Sequence, residues 1–183
     1  VVCPTSVATN WCLEAEKFTP DLKVMKLTGP NRDKLYRKVK DYDVIVTTFA
    51  LLRMDIARLR PRTWHAVVLD EAQNIKNPQS QTANAAKQLS AKHRFCLTGT
   101  PLENSLVELW SLFDFCMPTF LDTEKNFRAR YAMTGAEKPA DVAGLRVKVA
   151  PFMLRRVKED VAKELPPKTE QVLQIPLTAT QRE

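Results

Sequence analysis

The sequence predicts an α/β fold in which helices cover a doubly wound, mostly parallel sheet. Short apolar runs alternate with stretches whose apolar residues recur at helical spacing. This alternation is typical of parallel strands joined by crossover helices. One of the runs, at 65–71, contains an almost continuous Ala-Val-Val-Leu segment, as expected of a strand that is buried on both faces.

Within residues 1–116 the pattern predicts five strands, each followed by a helix. The strands are predicted at the opening residues 1–3 and at 22–27, 43–49, 65–71 and 93–100. The helices are predicted at 11–18, 31–40, 51–59, 82–89 and 105–116. Pro20 ends the first helix, Asn31 is expected to cap the second, and Ser105 with Glu108 is expected to form a capping box at the last.

The pattern changes beyond residue 118, and no strand is predicted between 120 and 150. We therefore expect three parts: a sheet core at 1–116, a helical insertion at 117–150 and a return segment at 151–183. The return segment is predicted to hold a basic helix at 152–165, ended by Pro166 and Pro167, and a last strand at 171–177.

Composition and charge are those of an ordinary globular protein with a basic bias. The 183 residues are 44% hydrophobic and 27% charged, and the net charge of +7 favours a polyanionic partner. Between residues 32 and 62 there are nine Lys/Arg but only four Asp. A solvated helix face explains this excess of positive charge as well as contact with a polyanion does. No run approaches the roughly 20 apolar residues of a membrane span.

The four cysteines lack metal-ligand spacing and are expected to be reduced thiols. Neither histidine is given a chemical role.

Polar clusters follow three predicted strands, at Pro4-Thr5-Ser6, Asp70-Glu71 and Thr98-Gly99-Thr100, and Thr47-Thr48 lies close to a fourth strand end. In open α/β sheets, ligands bind at the carboxyl ends of the strands. One carboxylate at such an end can orient the water around a Mg²⁺ ion on nucleotide phosphates, and a second can accept a proton from an attacking water. The same acids would equally suit a helix N-terminus, and the Thr-Gly-Thr segment would equally suit a plain turn.

Five stretches together are similar to lobe 1 of the Swi/Snf-related ATPases, which belong to helicase-like superfamily two and have a RecA-like fold. They are VVCPTSVATNW, DVIVTTF, VVLDEAQNIKN, LTGTPLENSLVELWSLFDF and PFMLRRVKEDVAKELPPK. The DEAQ letters alone would also suit an RNA helicase, whereas the last two stretches are long and specific. The residues from Gln73 to Asn77 resemble the bacterial and archaeal branch.

The resemblance implies a double-stranded-DNA-dependent ATPase and translocase that uses ATP and Mg²⁺, remodels protein–DNA complexes and works in the cytoplasm at the nucleoid. Asp70 would organise Mg²⁺ through water, Glu71 would be the general base, and Thr98, Gly99 and Thr100 would couple the nucleotide site to DNA. Arg155 and Arg156 are expected to have a structural role rather than to contact DNA. The residues expected to contact double-stranded DNA are Pro4, Thr5, Ser6, Thr47, Thr48, Lys76 and Asn77.

The glycine-rich phosphate loop of such an enzyme does not occur in these residues, because none of the four glycines begins a G-x-x-x-x-G-K-[ST] segment. The resemblance places that loop upstream of Val1. We therefore expect a piece of a longer protein, with a sheet truncated on its N-terminal side and without the second RecA-like lobe. Alone, it is expected to be catalytically inactive and, through an exposed strand edge, prone to self-pairing. The alternative is a non-catalytic scaffold that binds DNA or protein.

Overall fold

The fold was analysed in a computed structural model that describes residues 1–100, 105–132 and 141–156. The chain divides into two units, Val1–Val142 and Ala143–Glu183, and each is described by itself. This division differs from the boundaries expected from the sequence at 116 and 150, which stay predictions.

The first unit is built on a sheet of five parallel strands. The strands are β1 (Val2–Cys3), β2 (Val24–Lys26), β3 (Val44–Thr48), β4 (Thr63–Asp70) and β5 (Ser90–Leu97). Their order across the sheet is β2-β3-β1-β4-β5, so the first strand of the chain lies in the centre. Val2 aligns with Thr47 on one side and with Leu69 on the other. The predicted α/β class and the predicted strand–helix alternation are confirmed.

A helix follows every strand. These helices are α1 (Ala8–Phe18), α2 (Arg32–Tyr36), α3 (Phe49–Leu59), α4 (Gln81–Lys87) and α5 (Leu106–Cys116). Two further helices, α6 (Glu124–Phe127) and α7 (Val142–Val149), lie beyond residue 118, and no described residue from there to residue 150 forms a strand. None of the helices in the described ranges is long and apolar enough to cross a membrane.

Apolar clusters hold the sheet, and two of them lie within the described residues. The larger cluster contains the fully buried Leu27, Leu52, Leu69 and Phe115. The smaller one contains Cys3, Ala8 and Val46, with the side chains of α1 packed around it. Burial of one large aliphatic or aromatic side chain contributes roughly 1.5–3 kcal/mol, so the larger of these two clusters contributes more to stability than the smaller.

The predicted burial of β4 on both faces is only partly confirmed. Val67 and Leu69 are buried, but Ala66 is exposed. On β5, Phe95 is 52% exposed and Leu97 is 44% exposed. These side chains are exposed because α1 packs on β2 and β3 rather than on β4 and β5. We call the surface formed by Ala66, Val68, Phe95 and Leu97 the open sheet face.

Two predicted caps and one predicted helix length are wrong. The Asn31 side chain makes no capping hydrogen bond, and α2 ends at Tyr36, before a 3₁₀ turn at Val39–Asp41. The cause is the run of like charges from Lys34 to Lys40, which disfavours a continuous helix. The Ser105 side chain makes no capping hydrogen bond at the start of α5.

The predicted helix at 152–165 does not begin where expected. A 3₁₀ turn covers Ala150–Phe152, and residues 153–156 belong to no helix or strand. The remainder of that predicted helix, the two prolines and the predicted strand at 171–177 lie outside the described residues.

Candidate nucleotide-hydrolysis site

The carboxyl ends of β4 and β5 bring the two central polar clusters together. Asp70 is the last residue of β4 and aligns with Leu97, the last residue of β5. Because the strands are parallel and in register, Glu71 and Thr98 leave the sheet side by side. The predicted acid pair and the predicted Thr-Gly-Thr turn therefore occupy one edge of the sheet.

Asp70 is half-buried, and both of its carboxylate oxygens accept hydrogen bonds. The indole N–H of Trp11 donates to Oδ2 at 2.8 Å, and the backbone N–H of Glu71 donates to Oδ1 at 3.0 Å. The carboxylate also acts on the neighbouring strand: burial, together with the charge of Asp70, raises the pKa of Cys3 to about 11. The Asp70 carboxylate is thus held in a fixed orientation.

Glu71 has a left-handed backbone, with φ 53° and ψ 54°. This conformation costs an L-residue on the order of 1–2 kcal/mol. Asn74 offsets the cost, because its side-chain amide and its backbone N–H donate to the carbonyl of Glu71 at 2.8 and 3.1 Å. The turn carries the exposed Glu71 side chain away from the strand axis, where its carboxylate can meet a water molecule.

Gln73 joins the acid to the neighbouring strand end. Its Nε2 donates to Oε2 of Glu71 at 2.7 Å, and its Oε1 accepts from the hydroxyl of Thr98 at 2.9 Å. The Thr98 hydroxyl in turn accepts from the backbone N–H of Thr100 at 3.1 Å, across the exposed Gly99. A continuous chain of hydrogen bonds therefore runs from the Glu71 carboxylate to the Thr98–Thr100 turn.

A further contact fixes the turn after Glu71 to α5. The fully buried hydroxyl of Ser111 donates to the carbonyl of Ile75 at 2.6 Å. Nearby, Lys76 Nζ lies 3.8 Å from Oε1 of Glu108. The segment that follows Glu71 is therefore bonded to two successive parts of the chain. Gln73 bonds to Thr98 of the Thr98–Thr100 turn, and Ile75 bonds to Ser111 of α5, the helix that follows that turn.

Two residues of this site, Trp11 and Gln73, were not predicted to belong to it. The sequence placed Trp11 in the first predicted helix and in one of the family-like stretches, and Gln73 in the DEAQ pattern, without a role in the site for either. The usable signal for Gln73 was chemical, because a carboxamide carries both a donor and an acceptor and can bridge an acid and a hydroxyl.

Several residues predicted to contact DNA are exposed near the same edge. Thr5 and Ser6 are exposed in a 3₁₀ turn that follows β1, and the carbonyl of Pro4 accepts from the Val7 N–H at 3.2 Å. Asn77 is exposed and Lys76 is half-buried. Their contact with DNA stays a prediction.

Thr47 and Thr48 are placed differently. They are only 4% and 3% exposed. The Thr47 hydroxyl donates to the carbonyl of Leu27 at 3.1 Å, and the Thr48 hydroxyl accepts from the Leu51 N–H at 3.3 Å as the cap of α3. Both hydroxyls therefore serve the fold, and the contact of Thr47 and Thr48 with DNA stays a prediction.

The donor set fits a nucleotide-bound magnesium ion rather than a cage made of protein alone. No group of three or more His, Cys, Asp or Glu side chains gathers in the described ranges. Asp70 and Glu71 offer hard oxygen atoms, and Mg²⁺ usually keeps several waters while it binds one or two carboxylates and phosphate oxygens. Asp70, acting through water, is the residue placed to hold such an ion.

A parallel sheet with an acid pair at one strand end and a Thr-Gly-Thr turn at the next defines a RecA-like domain of the helicase-like class. The same fold is found in the SWI2/SNF2 ATPase core of Sulfolobus solfataricus, solved in complex with double-stranded DNA. That structure matches at a TM-score of 0.78 and 42% identity, over 88% of this chain and 34% of the other. The SNF2-related domain description matches residues 1–183, and the chain belongs to this family.

Two relatives show how much of a longer protein this chain corresponds to. The TATA-binding protein-associated factor MOT1 of Saccharomyces cerevisiae is 44% identical in an alignment that covers 92% of this chain and 10% of MOT1. The putative ATP-dependent helicase/translocase YwqA of Bacillus subtilis is 40% identical in an alignment that covers 99% of this chain and 20% of YwqA. The chain thus spans between a tenth and a fifth of these relatives.

Proposed function

We propose that this chain is the carboxylate-bearing part of a double-stranded-DNA-stimulated ATPase and translocase. The observation that carries the proposal is the hydrogen-bonded chain from Glu71 through Gln73 to Thr98, beside the fixed carboxylate of Asp70. The similar Sulfolobus structure, an ATPase core in complex with double-stranded DNA, supports it.

In this mechanism the residues of the chain orient and deprotonate water. ATP and Mg²⁺, when bound, supply the transferable phosphoryl group and neutralise its charge. Asp70 orients the water shell of the cation. Glu71 accepts the proton of the attacking water, and the Gln73 amide holds its carboxylate in place. Through Gln73, the position of Thr98 affects the position of the base, which gives the site a means of coupling to events at the Thr98–Thr100 turn.

DNA is held by backbone contacts that carry no sequence information. The exposed Thr5 and Ser6, with Pro4, Lys76 and Asn77, are the candidates, and contacts of this kind position a protein without reading bases. We propose that the substrate of the longer protein is a protein–DNA complex, because MOT1 is named as a factor associated with a DNA-binding protein. Binding that depends on phosphates should weaken steeply as salt is raised.

The 183-residue chain alone is expected to hydrolyse no ATP above background. It contains no glycine-rich phosphate loop, and the arginine finger that such enzymes use is worth roughly 10³–10⁵ in rate. Turnover by the chain alone, abolished by Glu71→Gln, would contradict this expectation.

The test of the proposed function is ATP turnover by the longer protein, with and without double-stranded DNA. Glu71→Gln keeps the shape of the side chain but removes the base, so we expect a loss of about 10²–10⁴-fold. The matched control is Glu16→Gln, which changes an exposed glutamate on α1.

The possible outcomes separate the competing functions. DNA-stimulated turnover that is lost in Glu71→Gln and kept in Glu16→Gln supports the motor. Stimulation by RNA rather than duplex DNA would indicate an RNA helicase. No turnover in any form would contradict the motor and favour the non-catalytic scaffold.

A further inference from the structure

The Asp70 carboxylate accepts a hydrogen bond that the proposed hydrolysis chemistry does not explain. The donor is the indole N–H of Trp11, 2.8 Å from Oδ2 and 59 residues away in the sequence. The other oxygen, Oδ1, is already held by the N–H of Glu71 at 3.0 Å. Without Trp11, only the local backbone bond would restrain the carboxylate.

An indole is chemically well suited to orienting a metal-organising acid. It is a donor only, is neutral and does not bind metal ions. A lysine or arginine at this place would neutralise the carboxylate and compete with the cation. Trp11 instead fixes one oxygen by a charge-assisted hydrogen bond and leaves the negative charge of Asp70 in place.

Trp11 is also rigidly connected to the segment that is proposed to contact DNA. It lies in the first turn of α1, which begins at Ala8, directly after the 3₁₀ turn Thr5–Val7. Its ring is half-buried and packs against the small cluster of Cys3, Ala8 and Val46. A displacement of the Thr5–Val7 turn would therefore move the indole N–H relative to Asp70.

We propose that Trp11 is a positioning residue, which orients Asp70 for its cation and links that carboxylate to the Pro4–Ser6 segment. This inference rests on the proposed function, since it assigns a partner to the metal-organising acid. The link through Trp11 differs from the link through Gln73, which joins the other acid, Glu71, to the Thr98–Thr100 turn. The two carboxylates would then respond to two different parts of the molecule.

The first experiment tests the hydrogen bond itself, without any nucleotide. The chain has three tryptophans, so a ¹H–¹⁵N spectrum of the 183-residue chain shows three indole N–H signals. Trp11→Phe assigns the Trp11 signal. Asp70→Ala should shift that signal upfield and accelerate its hydrogen exchange about tenfold or more. The signals of Trp64 and Trp110, whose indoles donate to the carbonyls of Leu59 and Asp122, should stay in place. An unchanged Trp11 signal in Asp70→Ala would overturn the inference.

The second experiment tests positioning in the longer protein. Trp11→Phe keeps the aromatic packing and removes only the donor. We expect the Mg²⁺ concentration for half-maximal DNA-stimulated turnover to rise about tenfold, the equivalent of one charge-assisted hydrogen bond. The matched control, Trp64→Phe, removes the indole donor of another half-buried tryptophan and should leave the Mg²⁺ requirement unchanged.

The two experiments separate failure of the inference from failure of the proposed function. If the wild-type protein shows DNA-stimulated turnover and Trp11→Phe has the same Mg²⁺ requirement as Trp64→Phe, the positioning role is refuted. If the wild type shows no turnover, the proposed function fails, while the spectrum still decides whether Trp11 holds Asp70. Should Trp11→Phe not fold, Trp64→Phe and Trp110→Phe identify the other two indole signals and leave the third to Trp11, so the Asp70→Ala spectrum remains decisive.

Discussion

The carboxamide of Gln73 has a role that neither an acid nor an alcohol could take at this position. It donates to Glu71 and accepts from Thr98 at the same time. Replacement by an acid would keep the acceptor but repel Glu71, and replacement by an alcohol would be too short. The bridge between the acid and the Thr98 turn therefore depends on one amide group.

At the residue scale, Gln73→Met should weaken the response to DNA more than the basal rate. The change keeps the length of the side chain and removes both hydrogen bonds. A hydrogen bond to a charged group is worth roughly 1.5–3 kcal/mol, so the DNA-stimulated rate should fall about tenfold or more. The measurement is ATP turnover by the longer protein with and without duplex DNA.

Gln79→Met is the control for this prediction. Gln79 is exposed and its Nε2 also donates to a carboxylate, that of Glu124 at 2.9 Å, but away from the acid pair. If both variants lose the same fraction of DNA stimulation, Gln73 has no special part in coupling.

The sequence predicts the site residues that follow from chain position and misses those that depend on tertiary distance. Asp70, Glu71 and Thr98 could be placed at one edge because parallel strands end together. Trp11 could not, because its bond to Asp70 depends on how closely α1 packs on the sheet. The burial of the Thr47 and Thr48 hydroxyls was hidden for the same reason, since their partners lie in Leu27 and in the first turn of α3.

At the scale of elements, α2 and α3 are joined by a nearly buried carboxylate. Asp55 on α3 is 8% exposed and accepts from Arg32 Nε at 2.5 Å and from the Tyr36 hydroxyl at 3.0 Å. Arg58 pairs with Asp33, and Arg62 donates to the Tyr36 carbonyl at 3.2 Å. Three of the basic residues between 32 and 62 thus serve the packing of these helices, so the excess of charge there is not all available to a polyanion.

Asp55 should make stability depend on pH in the acid range. The hydrogen bond from Arg32 holds the pKa of Asp55 below its usual value of 3.8. A carboxylate whose folded-state pKa is lowered contributes stability above its unfolded-state pKa and loses it as the pH falls through the folded-state pKa. Asp55→Asn should therefore lower Tm by several degrees at pH 7 and flatten the fall of Tm below about pH 4. Thermal unfolding across this range is the measurement.

Asp33→Asn provides the comparison for Asp55→Asn. It removes an aspartate that also pairs with an arginine, Arg58, but its side chain is 71% exposed. Exposed ion pairs contribute little to stability, so Tm should barely change. An equal loss of Tm in the two variants would mean that the burial of Asp55 has no special effect.

Helix boundaries show a similar division between what the sequence predicts and what it does not. The apolar periodicity of α3 and α5 survives in the structure to within two residues, because their apolar faces are buried in the core. The end of α2 was misjudged by four residues, because it is set by charge repulsion and by Asp55 on another helix, neither of which periodicity measures.

At the scale of the whole molecule, the open sheet face is an apolar surface that the strands β4 and β5 leave partly uncovered. Phe95 and Leu97 lie on β5, which is the last strand in the sheet order, and they are about half exposed. An exposed apolar edge strand is a template for association with another chain. This supports the expectation that the 183-residue chain pairs with itself.

Phe95→Ser should therefore shift the chain from a self-associated form towards a monomer. Its partly exposed ring contributes less to stability than a core ring, so the fold should survive the change. The control is Phe18→Ser, because Phe18 is 67% exposed but lies at the end of α1, outside the open sheet face. Sedimentation velocity over a range of concentrations measures the effect, and a wild-type chain that is already monomeric would contradict the prediction.

The central position of β1 has a consequence for the order in which the molecule assembles on the ribosome. Val2 leaves the ribosome well before its two neighbours in the sheet, Thr47 and Leu69. β1 therefore cannot pair with β3 and β4 until most of the sheet has been synthesised. Pairings between such distant residues close slowly, and an unpaired apolar segment is exposed to misassembly in the interval. The two edge pairs, β2 with β3 and β4 with β5, join strands that follow one another in the chain, and they can form before the centre of the sheet is closed.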